Sequence, residues 1–268
     1  MNRVVPLRRP GLWLSSAIVL AMLAWLLAAV WRNPNIVHSV IWQYQFAPAI
    51  LRGLRTTVLL ALLAAVVGVV LGVLLAVMRL SDSVVLRLGS GLYTWLLRGT
   101  PLLVQILVWG NLALLFEYIG PFKTNALLTP FVASVVALGL NEAAYMAEIV
   151  RAGILAVDRG QHEAALALGM SRALTLRRIV LAQALRVIIP PAGNQFISLL
   201  KATSLVSVIA GGDLLTAAQN ISSSNLHTIE LMLVATFWYL VITSISSLGQ
   251  HVVERRLGRS AAGSHGAR

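Results

Sequence analysis

GQHEAALALGMSRALTLRRI, residues 160–179, is a charge-tipped, alanine-rich segment set between apolar runs that are each long enough to cross a membrane. Gln161 to Leu168 are good helix formers, Gly169 interrupts them, and Ser171 is placed to cap a second helix that begins near Arg172. The spacing predicts two short helices meeting at a glycine. Such an elbow, projecting from the mouth of a helical bundle, presents Ala164, Ala165, Leu168 and Met170 as a small apolar surface marked by Glu163, Arg172, Arg177 and Arg178. Two uses fit that surface: insertion into a groove on a partner protein, or an amphipathic helix resting on anionic headgroups.

The surrounding chain settles the solvent. Hydrophobic residues make up 58% of it and charged residues 11%, with a mean hydropathy of +0.84, values far from those of a soluble domain. Apolar runs at 12–31, 56–78, 86–115, 126–150, 179–209 and 231–248 predict an all-α polytopic membrane protein of about six transmembrane helices. The run 86–115 is interrupted by Arg98-Gly99-Thr100-Pro101, read as a turn without a substrate role. The first run is longer than the apolar part of a signal peptide and lacks a small-residue cleavage pattern, so it reads as an uncleaved anchor.

The formal charge of +12 raises nucleic acid as a partner, but the basic residues flank apolar spans instead of covering one soluble face, which argues for no nucleic acid. With the N-terminus in the cytoplasm, alternation puts sixteen of the twenty-one Lys and Arg residues on the cytoplasmic side. Arg32, Arg52, Arg55 and Lys123 fall outside and Lys201 falls within a span. The positive-inside rule therefore places both termini and the elbow in the cytoplasm.

Covalent chemistry has no candidates. There is no cysteine, and the five histidines never fall at a ligand-pair spacing, so no metal is expected. No phosphate loop, nucleophile elbow or dinucleotide fingerprint occurs, so neither a catalytic residue nor a cofactor is expected and any ATP must be bound by another subunit.

Polar residues inside the spans mark function instead. Lys201 needs a partner, which could be carbonyls freed near Pro190-Pro191, Glu142 or Glu148, or a substrate carboxylate. Glu142 could pair with Lys201 or face a ligand, and in the second case its charge would favour cationic substrates. Pro190-Pro191 with Gly193 and Asn194 predict a broken or kinked helix in mid-span. Glu148 and Arg151 can pair along one helix. Gly68 and Gly72 suit close helix approach, either at a subunit interface or within the chain. The segment 211–227, rich in Ser, Asn and Gly with Asp213 as its one acidic residue, reads as a loop suited to an outer gate or receptor contact. Glu117 reads as an outer-edge carboxylate that could also contact a receptor.

Glu163-Ala164-Ala165, three residues, Gly169, nine residues, Ile179, one residue and Leu181 resemble the EAA motif of ABC importer permeases. RGTPLLVQ (98–105), AAYMAEIVRAGI (143–154) and GNQFISLLKATSL (193–205) resemble the polar amino acid branch of that family, and together the likeness covers roughly residues 52–257. Two departures stand out: Ala182 where the family usually has Pro, and Ala202 where it usually has an acidic residue after the lysine.

The resemblance implies one extra N-terminal helix and external loop in 1–50, a five-helix type I permease core in 51–257 with its EAA loop at 158–180, and a flexible tail in 258–268. It implies ATPase coupling through Glu163, Ala164, Ala165, Gly169 and Met170, and makes Glu142, Asn194, Lys201 and Thr203 candidates for the translocation pathway or its gate. The implied partners are ABC ATPase subunits, a second permease subunit (a copy or a paralogue), an extracytoplasmic amino acid binding protein and membrane lipid. The implied location is a bacterial inner membrane. The rival is a small ion-coupled secondary amino acid transporter without an ATPase.

Overall fold

The architecture was analysed in a computed structural model, which describes residues 10–262. Arg3, Arg8, Arg9 and the last six residues of the expected tail lie outside the described residues. The chain is a helical bundle whose central contact is between α3 (Pro48–Leu80) and α7 (Pro130–Leu155). Small residues decide that contact. A Cβ on Gly68 would lie 2.4 Å from Cγ of Glu142, one on Gly72 would lie 2.6 Å from Cβ of Met146, and one on Gly139 would lie 2.8 Å from Val67. Gly68 and Gly72 thus serve packing within the chain, the second of the two uses their spacing allowed. These contacts advance in step along both helices, so α3 and α7 run parallel.

Parallel neighbours require a return crossing between them. It is supplied by α4 (Val84–Gly99) and α5 (Leu102–Gly110), which meet at a bend of 99°. The α4 helix folds back along α3, with Ser90 Oγ donating to Leu75 O at 2.7 Å and Arg79 donating to Arg87 O at 2.8 Å. The bend has a local cause. Pro101 has no N–H, so Leu97 O loses its helical partner; Gln105 Nε2 at 2.8 Å and Asn141 Nδ2 at 3.0 Å take its place. Gln105 also accepts from Asn141 at 3.1 Å, so one buried amide pair locks α4, α5 and α7 together.

After α7 come α8 (Arg159–Ala167), α9 (Arg172–Thr175), a π-turn (Leu176–Val180) and α10 (Leu181–Ala202). The α10 helix returns antiparallel to α7: a Cβ on Gly153 would lie 2.3 Å from Ile188, and Gln195 donates to Glu142 farther along. A 3-10 turn (Thr203–Ile209), α11 (Leu214–Asn225) and α12 (Thr228–Ala262) complete the chain. The helix α2 (His38–Gln45) packs at the α11 end, where Val40, Ile50, Leu214, Ala218, Leu231 and Val234 form one core.

Among the described residues, three single helices, α3, α7 and 228–257 of α12, are long and apolar enough to span a membrane, and the bent pairs α4–α5 and 173–209 with α11 bring the number to five if each is one span. The sixth expected span is the helix α1 (Pro10–Trp31), about 33 Å long at the standard rise, whose described apolar stretch is shorter, Ser15–Leu26. Leu62, Val66, Val70 and Val73 on the outer face of α3 are exposed, as lipid-facing side chains must be.

The structure departs from the sequence reading in four places. The segment 211–227 is mostly the helix α11, with Asp213 buried as its N-cap, not exposed for a gate or receptor. The helix α10 continues through Pro190-Pro191, and the break lies later, where Ala210 (φ 54°) and Gly212 (φ 80°) turn left-handed and the axis bends by 43°. Run 126–150 is divided by Thr129-Pro130 into a short helix α6 (Thr124–Leu127) and α7, preceded by a hairpin of β1 (Tyr118–Ile119) and β2 (Phe122–Lys123). The helix α12 extends to Ala262, into the stretch expected to be loose.

Replacing Gly68 by Leu overpacks the α3–α7 seam and should cost about 1–3 kcal/mol or more. The same change at Gly89, which has nothing within 4 Å of a built Cβ, should be neutral. Thermal unfolding of the two variants in detergent, read as several degrees lost for Gly68→Leu alone, checks this.

Candidate functional site

The elbow forms as its residues dictate. Asp158 caps α8, accepting from Gly160 N at 2.6 Å. The helix stops in two bonds, Gly169 N to Leu166 O at 2.9 Å and Met170 N to Ala165 O at 3.1 Å. This double closure needs a left-handed residue after the last helical one, and Gly169 has φ +79° with open space around it. Ser171 then caps α9, its Oγ accepting from Leu174 N at 3.3 Å.

The face the elbow offers differs slightly from the expected one. Leu168 is 83% exposed, and Glu163, Ala164 and Ala167 are also exposed, but Ala165 is turned inward at 4%. Ala165 therefore packs the elbow and does not form its surface, while Met170 is half-buried. Behind α8 is a cavity of about 370 Å³ bordered by Val157, His162, Glu163, Leu176 and Val180. A bond from Gln183 to Gln161 (3.3 Å) ties α8 to the start of α10. The elbow is thus joined to both α7 and α10.

Those two helices also wall an open cavity of about 540 Å³, which α4 borders through Arg98. Arg98, Tyr145, Glu148, Asn194, Gln195 and Ser198 supply its polar lining. The Arg98 guanidinium lies 5.2 Å from the centre of the Tyr145 ring, a cation–π distance that holds it at the cavity wall. Glu148 accepts two bonds from Arg151, at 2.7 and 3.0 Å, which fixes its carboxylate and confirms the expected pairing along α7. One cationic and one anionic side chain thus border the same space, of a size that suits a small ligand.

Of the four pathway candidates, Asn194 borders this cavity and Lys201 is exposed farther along α10. Glu142 does neither: it is 4% exposed, fills the space left by Gly68, and its Oε2 accepts from Gln195 at 3.0 Å. No ion pair joins Glu142 to Lys201, and a pathway-facing Glu142 that selects cations is not what the structure shows. Thr203 is buried and donates to Leu200 O at 2.7 Å within its own turn.

Asn194, Ser198 and Lys201, all exposed, follow spacings of four and three residues, so they form one polar stripe on α10. A lysine facing lipid in mid-span costs about 2.5–3.5 kcal/mol on the insertion scale, which favours a protein-lined or watered side for this stripe. Ser198, Gln195, Tyr145 and Arg98 were not singled out from sequence as site residues. The spacing from Asn194 to Lys201 was the signal available for Ser198. The Arg98–Tyr145 contact joins α4 to α7 across the bend and had none.

A bundle of helices long and apolar enough to span a membrane, with a two-helix elbow at one end and a polar cavity between its helices, has the form of a membrane transport subunit. The model of a family described as "Binding-protein-dependent transport system inner membrane component" matches residues 68–259, and the chain belongs to that family. It is 44% identical over 262 residues to the arginine transport system permease protein ArgU of Corynebacterium glutamicum, covering 96% of this chain and 83% of that one. It is 42% identical over 221 residues to the L-cystine transport system permease protein TcyB of Bacillus subtilis, covering 82% and 91%. Among solved structures it resembles an amino acid ABC transporter crystallised with histidines, at 38% identity and a TM-score of 0.71, over 80% of this chain and 96% of that one.

The amide lock at the bend gives a second stability test. Gln105→Leu removes a donor from the half-buried Leu97 O and an acceptor from the buried Asn141, and should destabilise the chain by about 1–3 kcal/mol. Gln105→Glu, which accepts but cannot donate, should not restore it. Unfolding midpoints of the detergent-solubilised variants decide.

Proposed function

We propose that the chain is the transmembrane permease subunit of an ATP-driven ABC importer of polar amino acids, cationic ones among them. Its permease core would be residues 51–257, in a bacterial inner membrane with both termini cytoplasmic. It would work with ABC ATPase subunits, a second permease subunit and an extracytoplasmic binding protein. The observation that carries this reading is the cavity between α4, α7 and α10. An amino acid is a zwitterion, and this cavity offers Arg98 to the carboxylate and Glu148 to the ammonium group, with Asn194, Gln195 and Ser198 for a polar side chain. The relatives whose names specify arginine and L-cystine support the substrate class.

Force would enter at the elbow. Glu163, Ala164, Gly169 and Met170 would contact an ATPase groove, with Ala165 holding α8 against the bundle from within. Because α8 continues α7 and α9 leads into α10, a displacement of the elbow moves two of the cavity's three walls together. Closure of the ATPases would thereby open the cavity toward the binding protein.

Two variants separate the halves of this proposal. Arg98→Ala should raise the substrate concentration for half-maximal transport about 10- to 100-fold, the equivalent of one lost charge-assisted bond. ATP hydrolysis by the complex should survive it. Glu163→Lys should lower substrate-stimulated ATP hydrolysis at least about tenfold by placing a like or mismatched charge in the contact. Uptake and phosphate release by the reconstituted complex check both, and a Glu163→Lys complex that hydrolyses ATP normally would overturn the coupling role.

A further inference from the structure

At the end of the bundle remote from the elbow, the first two turns of α3 and the outer side of α11 enclose a groove of about 370 Å³. Arg52, Asn220 and Ser224 are among its polar lining residues. Its floor is tight and fixed: a Cβ on Gly53 would lie 2.8 Å from Ala217 Cβ and 3.0 Å from Asp213 O. Arg52 is exposed, has no ion-pair partner among the described residues, and is the only charged residue that borders the groove.

The neighbouring carboxylates do not neutralise it. Asp213 is buried beneath and is occupied by Leu215 N at 2.9 Å, Thr216 and the Tyr239 hydroxyl at 3.3 Å. Glu230 is buried at the same end, accepting from Val37 N at 2.9 Å beside His227. The exposed charges here are Arg32, Arg52, Arg55 and Lys123 against Glu117. This end therefore shows a basic field with a cationic groove within it, complementary to an acidic surface.

We infer that this groove docks an acidic side chain, Asp or Glu, on the surface of the extracytoplasmic binding protein, with Arg52 as its anchor. The inference rests on the importer reading above and names the contact by which that partner would be recognised. A protein is favoured over a lipid phosphate by where the groove sits. Its far wall is α11, which follows the left-handed break at Ala210–Gly212, and beyond that break lies α10 with the Asn194–Ser198–Lys201 stripe. A side chain seated against α11 therefore rests on the segment that leads back through that break to the helix bordering the cavity, so docking and opening would act on one continuous stretch of chain.

The test uses the complete transporter in phosphatidylcholine vesicles with its purified binding protein loaded with amino acid. ATP hydrolysis is read as a ratio to each variant's own receptor-free rate. Arg52→Glu should raise the binding-protein concentration for half-maximal stimulation at least about tenfold, and Arg52→Lys should restore most of it. The wild type should lose affinity as salt rises from about 50 to 500 mM, and Arg52→Glu should lose that dependence. Equal stimulation of wild type and Arg52→Glu at every binding-protein concentration overturns the groove assignment and leaves the importer reading standing. Failure of any binding protein to stimulate the wild type sinks the importer reading itself. A rate that follows anionic lipid content through Arg52, without a change in binding-protein affinity, makes the groove a lipid site and also overturns the proposal.

Discussion

The close approach of α3 and α7 is the contact on which the rest of the bundle depends. Three glycines remove the side chains that would hold the helices apart, and Glu142 and Met146 fill the space that Gly68 and Gly72 leave. In a membrane there is no hydrophobic force to drive helices together, so such packing is what holds them. Its parallel sense has topological consequences: a return crossing must lie between the two helices, and the elbow end of α7 is set opposite the start of α3. The elbow and the Arg52 groove lie at the two ends of that one axis, and the cavity lies along the elbow-side half of α7, from Tyr145 to Gly153.

The return crossing has to bend, and the bend is built from one missing hydrogen bond. Pro101 orphans Leu97 O, and a buried carbonyl without a partner is expensive in lipid. Gln105, four residues past the proline, and Asn141, across on α7, both donate to it. The string RGTPLLVQ is thus a proline and the amide that compensates for it, with Arg98 one turn earlier carried to the cavity wall. A polar residue that looks functional in a span, such as Asn141 or Glu142, is here holding backbone and packing together. The exposed polar side chains of α10 are instead Asn194, Lys201 and Ser198, whose hydroxyl bonds only within its own helix, to Asn194 O at 3.1 Å.

Much of this was legible in the sequence because periodicity and capping are local. The spans, the turn at Gly99-Thr100-Pro101, the glycine stop at Gly169 and the cap at Ser171 all follow from which residues stand within four positions of one another. What was not legible depended on partners distant in sequence. Pro190 and Pro191 suggested a break, but α12 supports the helix there, with Gln250 seated over Gly193 and donating to Pro190 O at 3.2 Å. The polar run 211–227 suggested a loop because it is rich in Ser, Asn and Gly. In the structure its Ser hydroxyls turn back onto carbonyls of their own helix, Ser222 to Gln219 and Ser224 to Ile221. Glu142 suggested a ligand or a lysine partner, and the Gly68 space that buries it is visible only once α3 and α7 are packed. The Arg98–Tyr145 contact has the same character.

The central claim is that the α10 stripe lines a space whose access is switched from the elbow. The chain contains no cysteine, so a single one can report on each position without background. The decisive measurement is the rate at which a membrane-impermeant maleimide, added from the outer side, labels Ser198→Cys in the assembled transporter with and without ATP and binding protein, against Val66→Cys on the lipid face of α3. Labelling of Ser198→Cys that rises severalfold only when ATP and the binding protein are both present, with Val66→Cys inert throughout, is the predicted result. Labelling of Ser198→Cys that stays as low as that of Val66→Cys in every state would contradict it.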